Sequence, residues 1–254
     1  MTTSEQTIRA QLAEMESALG VRVLHAVESG SRAWGFASPD SDYDVRFIYV
    51  RDIGSYLRLE RTRDVIEWQL DDVFDINGWD LAKALRLLRT SNPTLYEWRD
   101  SPIVYATAPD WTIVTALFEP CFSPKKSLYH YLSTARSNAA AYLRGDRVKL
   151  KKYFYVIRPL LAGRWVVERD APPPMPFADL VSGCLPEALG PVVAELLVTK
   201  TVTSELGLGP RLPEVDRWIE AELVTLGDVA AALPDRAPCD WALLDEAFRT
   251  VLGL

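Results

Sequence analysis

Two apolar runs with strand character, Val21–Val27 and Val45–Val50, flank a stretch that reads Ser-Gly-Ser-Arg-Ala-Trp-Gly-Phe-Ala-Ser-Pro-Asp-Ser-Asp-Tyr-Asp over residues 29–44. No other feature restricts the chain as much. Gly30-Ser31 turns the chain out of the first strand, and Asp42-Tyr43-Asp44 leads it into the second. Residues two apart on a strand point to one face, so Asp42 and Asp44 are expected to present paired carboxylates. Such a pair repels itself unless a cation or a proton lies between, and an oxygen-only donor set suits a hard ion such as Mg²⁺. The N–H groups of a Gly-Ser turn, with the Ser31 hydroxyl, suit a phosphate. A solvated turn is the plainer account of Ser-Pro-Asp-Ser-Asp. It covers Asp40 well, but not Asp42 and Asp44, which open an apolar strand.

Helical spacing at Ile8, Leu12, Met15 and Leu19 predicts an N-terminal helix, with Thr3 and Gln6 as a capping box and Gly20 as its stop. Further strands are expected over 64–70 and 72–76, with Asp71-Asp72 as the turn between them, and at Ile103–Tyr105. Asp80 reads as the N-cap of a helix that ends at Asn92-Pro93. Beyond Pro109 the strand signals fade. Helices are expected over 110–119, 127–144, 147–168, 187–206, 211–225 and 240–252, with Pro172–Pro176 as an extended connector. The fold class read from this pattern is α+β: an N-terminal mixed-sheet domain over 1–107, then a helical domain over 108–254.

The bulk properties narrow the classes. A chain of 254 residues with 48% apolar content can bury one large core or two small ones. No run of 18 apolar residues occurs, so no membrane span is expected. The start lacks the basic and apolar segments of a secretory signal. Cys121, Cys184 and Cys239 show neither metal-ligand spacing nor a disulfide framework and read as small core residues, which fits a reducing cytoplasm. A net charge of −7 argues against broad binding to a nucleic-acid backbone but leaves room for a local basic groove.

An apolar residue, Gly-Ser, a spacer of about a dozen residues and Asp-x-Asp together resemble the nucleotidyltransferase superfamily typified by DNA polymerase β. Gly30, Ser31, Asp42 and Asp44 match that signature. Gly78-Trp79-Asp80-Leu81-x-Lys83-Ala84-Leu85, then Asn92-Pro93, Glu97-Trp98 and Ser101-Pro102-Ile103-Val104-Tyr105, resemble its RNA repair pathway branch, as does Leu150–Leu160. The resemblance implies a polymerase-β-like catalytic domain followed by a helical one. It also implies transfer of NMP from an NTP to an acceptor hydroxyl, an RNA or tRNA end in the branch's name. Two Mg²⁺ ions, or Mn²⁺ in their place, would assist. Transfer to a protein or a small molecule, as in antitoxin-like or aminoglycoside-modifying relatives, stays open, as does a catalytically silent module.

The superfamily takes a third carboxylate from a neighbouring strand. Asp75, in Val73-Phe74-Asp75-Ile76, has the apolar flanks expected of it; Asp80 and Glu67 are rivals. Gly30 would let phosphates approach, Ser31 would bond one, and Arg32 would add charge or remain solvated. Trp34 and Phe36 read as packing residues, with base stacking as the other option. Arg144, Arg147, Lys149, Lys151, Lys152, Arg158 and Arg164 form a basic run. Lys151, Tyr155 and Arg158, spaced i, i+4, i+7, would share one helix face with Lys152 beside it. That stripe would bind a triphosphate or an RNA end, or be an ordinary solvated face. His25 and His130 stand alone, and His25 alternates with Val23 and Val27 as a packed residue would.

Overall fold

The computed structural model describes residues 2–38, 41–60, 62–71, 73–202 and 207–254. Asp40, Asp72 and the expected helical stretch 203–206 lie outside them. The chain forms two compact units. The first comprises Met1–Ala33, Asp42–Phe122 and Pro238–Leu254; the second comprises Trp34–Ser41 and Ser123–Ala237. A single boundary near residue 108 was expected. The division falls later because Trp111 stacks on His25 at 4.7 Å and Phe118 meets Tyr96 edge-on, which holds the segment after 108 in the first unit. The C-terminal helix Trp241–Val251 returns to the same unit, with Phe248 edge-on to Tyr56.

In the first unit, helix Thr3–Leu19 starts from a capping box one residue earlier than expected, formed by Thr2 and Glu5, and stops at Gly20 with φ +60°. It is followed by β1 (Val21–Ser29), β2 (Tyr43–Arg51), β3 (Val65–Leu70), β4 (Phe74–Asp80) and β5 (Val104–Thr107). These make a mixed five-stranded sheet in the order β3-β4-β2-β1-β5. Among these described strands β2 and β4 pair parallel, and the other pairs are antiparallel. Ile8, Leu12 and Met15 pack on Val23, Val45, Phe47, Tyr49, Ile76 and Tyr105, so one sheet face is a closed apolar core. Asp80 caps helix Leu81–Arg89 as expected, by accepting from Ala82 N–H at 2.8 Å. Asn92 does not merely end that helix. It caps a second one, Pro93–Arg99, which the sequence reading missed. Cys121 and Cys239, expected to be separate core residues, are joined in a disulfide with Cα atoms 4.8 Å apart; Cys184 is free and buried.

The second unit is built on helices Pro124–Tyr142, Phe154–Arg169, Phe177–Cys184, Gly190–Val202 and Pro213–Ala232. The expected helix over 147–168 begins late. Gly145 takes φ +79°, β6 (Arg147–Lys149) pairs with β7 (Leu208–Pro210), and a 3₁₀ turn covers Leu150–Tyr153. Phe36 packs into this unit against Phe154 and Phe177, so it is a core residue. Among the described residues no helix is long and apolar enough to cross a membrane.

Gly78 shows how tightly the sheet is built. A Cβ at that position would overlap the Phe47 ring, whereas one at Gly190 would meet nothing within 4 Å. Gly78→Ala is expected to destabilise the protein by about 1–3 kcal/mol through overpacking, and Gly190→Ala by less than about 0.5 kcal/mol. Chemical denaturation of both variants measures the contrast.

Candidate active site

The site grows out of the parallel pairing of β2 with β4, which sets Asp44 directly opposite Asp75. Asp80 lies at the far end of the same strand, opposite Tyr49, where it caps a helix and accepts from Tyr56 Oη at 2.9 Å. Glu67 sits on β3, ion-paired to Arg63 at 2.7 Å. Of the three carboxylates weighed for the third position, only Asp75 is brought beside Asp44. Asp42 stands just before β2, not within it.

Arg46 follows Asp44 by two residues and therefore shares its face. Its Nη2 donates to Asp75 Oδ2 at 2.6 Å and to Asp44 Oδ1 at 3.0 Å, and its Nη1 donates to the Asp75 carbonyl at 2.7 Å. Asn77 Nδ2 holds Asp75 Oδ1 at 2.9 Å. Burial pushes the Asp44 carboxyl above the usual range, Arg46 pulls it back, and the charges of Asp42 and Asp75 push it up again. Three negative charges thus act on one another, with one guanidinium set between two of them. Among the described residues no three of His, Cys, Asp or Glu close tightly enough to enclose a metal ion. The donors are nevertheless all oxygen, and their mutual repulsion is what a hard divalent cation would relieve.

Gly30 has φ +61°, in the region that favours glycine. A Cβ there would overlap Oδ2 of Asp44. The glycine therefore makes room first for the carboxylate. Ser31 follows in a single helical turn, Gly30–Ala33, and is half-buried. Arg32 Nε donates to the Asp42 carbonyl at 2.9 Å, and its guanidinium lies 3.8 Å from the Tyr43 ring centroid, so it braces the strand entrance.

Sequence reasoning missed Glu28 and Arg46. Glu28 is fully buried. Its Oε1 accepts the Asp44 N–H at 2.8 Å, its Oε2 accepts from the Tyr105 hydroxyl, and Ser101 Oγ donates to its carbonyl at 2.6 Å. It anchors the backbone that carries Asp44. Burial raises its pKa to about 7, against the lowering effect of those hydrogen bonds. A lone acid at the end of an apolar strand, directly before Gly-Ser, was the available signal. For Arg46 the signal was its parity with Asp44.

The expected stripe of Lys151, Tyr155 and Arg158 does not form on one α-helix. Lys151 and Lys152 lie in the 3₁₀ turn ahead of it. Arg158 is only 4% exposed, stacks 4.6 Å from the Trp34 ring centroid and donates to the Met175 carbonyl at 3.3 Å. Arg164 is spent on buried Glu222. His25 is packed as expected, with its pKa lowered to about 4 by burial.

The model of the RNA repair pathway DNA polymerase beta family matches residues 4–250. The chain belongs to that family. The YcgL protein of Bacillus subtilis (strain 168) is 44% identical over 233 residues, covering 90% of this chain and 89% of YcgL. A nucleotidyltransferase-like protein from Exiguobacterium sibiricum 255-15, known from its crystal structure, is 14% identical. The match covers 90% of this chain and 75% of that one at a TM-score of 0.29. Membership supports a polymerase-β-like nucleotidyltransferase.

Glu28 makes stability depend on pH with a definite sign. In the unfolded chain it loses its proton near the ordinary 4.5, and in the fold it keeps it to about 7. The folded state therefore binds more protons over that window, and stability falls from below 4.5 to above 7 by up to about 3 kcal/mol. Glu28→Gln, which keeps an acceptor for Asp44 N–H, is expected to melt progressively higher than wild type as pH rises from 5 to 8. Parallel melting curves across that range in both proteins would rule the assignment out.

Proposed function

We propose that the protein is a divalent-metal-dependent nucleotidyltransferase that moves NMP from an NTP to an acceptor hydroxyl, with an RNA end as the acceptor. The observation that carries this reading is the register that puts Asp75 opposite Asp44, on the face shared by Arg46 and next to Gly30. Asp42, Asp44 and Asp75 would hold Mg²⁺, two ions in the full complement, with Mn²⁺ accepted by the same oxygens. Bound there, such ions stabilise charge on the entering and leaving oxygens of an in-line displacement.

The chain's own residues do the rest. The Gly30-Ser31 turn offers N–H groups and a hydroxyl to the phosphates, and Arg32 adds a cation beside it. Glu28 fixes the backbone of Asp44, and Asn77 fixes one oxygen of Asp75, so both carboxylates are oriented before substrate arrives. The acceptor oxygen bonds to the α-phosphorus while the bond to pyrophosphate breaks.

A second reading has one observation behind it. Arg46 already neutralises charge on both Asp44 and Asp75, as it would in a nucleotide-binding module without turnover. Pyrophosphate release in the presence of NTP, Mg²⁺ and RNA separates the two readings, and an α-labelled NTP identifies what receives the label.

Asp44→Asn keeps the oxygen that accepts from Arg46 but removes the charge. It is expected to leave the melting temperature within a few degrees of wild type and to lower turnover by at least about a thousandfold, on the order of 4 kcal/mol of charge stabilisation. Label transfer at the wild-type rate would sink the metal assignment. Arg46→Met removes the competing cation. It is expected to lower the melting temperature in EDTA and to tighten Mn²⁺ binding by roughly tenfold, the worth of a charge-assisted hydrogen bond. Calorimetric titration with Mn²⁺ reads the change, and an unaltered Kd would mean that Arg46 does not compete for these oxygens.

A further inference from the structure

Within the second unit, two cations and three aromatic rings form a continuous row. Arg158 lies 4.6 Å from the Trp34 ring centroid, and Trp34 meets Tyr155 edge-on at 6.0 Å. Lys152 Nζ then sits between two rings, 4.5 Å from the Tyr155 centroid and 4.1 Å from that of Tyr142. The inner end, at Arg158, is buried. The outer end is not: Tyr142 and Tyr155 are each 38% exposed, unusual for large rings already in contact.

Among the described residues the cations around that outer end outnumber the carboxylates paired with them. Arg144, Arg147, Lys149, Lys151 and Lys152 carry a single carboxylate among them in sequence, Asp146. Among the described residues, Arg147 donates only to the Leu208 carbonyl, and none of Arg144, Lys149, Lys151 or Lys152 is ion-paired. On β6 the burial of Val148 turns Arg147 and Lys149 to the opposite, exposed side. In a chain of net charge −7, with most of its other arginines bonded to carboxylates or carbonyls, such a patch marks a polyanion partner.

We propose that this face binds a single-stranded nucleic acid. Bases pack against the partly exposed rings of Tyr142 and Tyr155, and the five cations track the phosphates. Charge alone would suit a duplex or a triphosphate equally well. The rings decide for a single strand, because a duplex keeps its bases stacked internally and a lone triphosphate needs neither two rings nor cations spread over a strand and a turn. The binding itself stands apart from any turnover. Only in naming the bound strand as the acceptor does it rest on the transferase reading.

Fluorescence anisotropy with a labelled single-stranded oligoribonucleotide of about ten nucleotides tests it, without NTP and in EDTA so that no chemistry intervenes. Wild type should bind, with an affinity that falls steeply with salt. Tyr142→Ala should weaken binding roughly 5- to 100-fold at unchanged salt slope, and Tyr142→Phe should bind like wild type, which guards against a folding defect. Lys149→Ala with Lys151→Ala should lower the salt slope by roughly one to two. No wild-type binding at low salt overturns the proposal. So does equal affinity for an abasic strand or a duplex, or a Tyr142→Ala protein that binds normally. Because no transfer is measured, failure here leaves the catalytic reading intact, and loss of transfer in Asp44→Asn leaves strand binding intact.

Discussion

The parallel pairing of β2 with β4 is the constraint on which the rest of the site depends. Among the described residues it is the only parallel pair in an otherwise antiparallel sheet. A parallel neighbour cannot be reached by a tight turn. The chain instead leaves β2, passes through residues 52–64 and forms the edge strand β3 before it returns as β4. That detour puts the starts of β2 and β4 side by side, and each start carries a carboxylate. An antiparallel arrangement of the same strands would have set Asp44 against the far end of β4, where Asp80 serves a helix.

Holding like charges together needs support from both faces of the sheet. On the face away from Tyr105, Arg46 spans Asp44 and Asp75, and Asn77 fixes the remaining oxygen of Asp75. On the core face, Glu28 grips the Asp44 N–H from below and is itself held by Tyr105. Gly30 completes the enclosure by having no side chain where Asp44 needs space. Arg46, Glu28 and Gly30 serve Asp44 directly and Asn77 serves Asp75, so the electrostatic cost of the pair is shared among groups on β1, β2, β4 and the turn after β1.

Much of this was legible in the sequence, because it is local. The Gly-Ser turn, the Asp-x-Asp pair, the flanking strands and the Asp80 cap all express themselves within a few residues. What escaped depends on partners far away. Glu28 looks like an ordinary strand-end acid until Tyr105 covers it. Arg158 and Arg164 look like members of an exposed basic run until Trp34, Met175 and Glu222 draw them inward. Helix Phe177–Cys184 follows a proline run that reads as connector, and β6 is strand only because Leu208–Pro210 lies beside it. Cys121 and Cys239, separated by 118 residues, leave no spacing to notice.

The return of the C-terminal helix to the first unit also governs the order in which the protein can be assembled. Synthesis runs from N- to C-terminus, so Ser123–Ala237 emerges before Pro238–Leu254. During that interval Tyr56 has not yet met Phe248, Arg89 has not met Trp241, and Arg22 has no Val251 carbonyl to bind. The unit that carries the carboxylates lacks these three contacts until that helix is made. The first unit is therefore discontinuous in sequence, closed by a segment that follows the whole of the second.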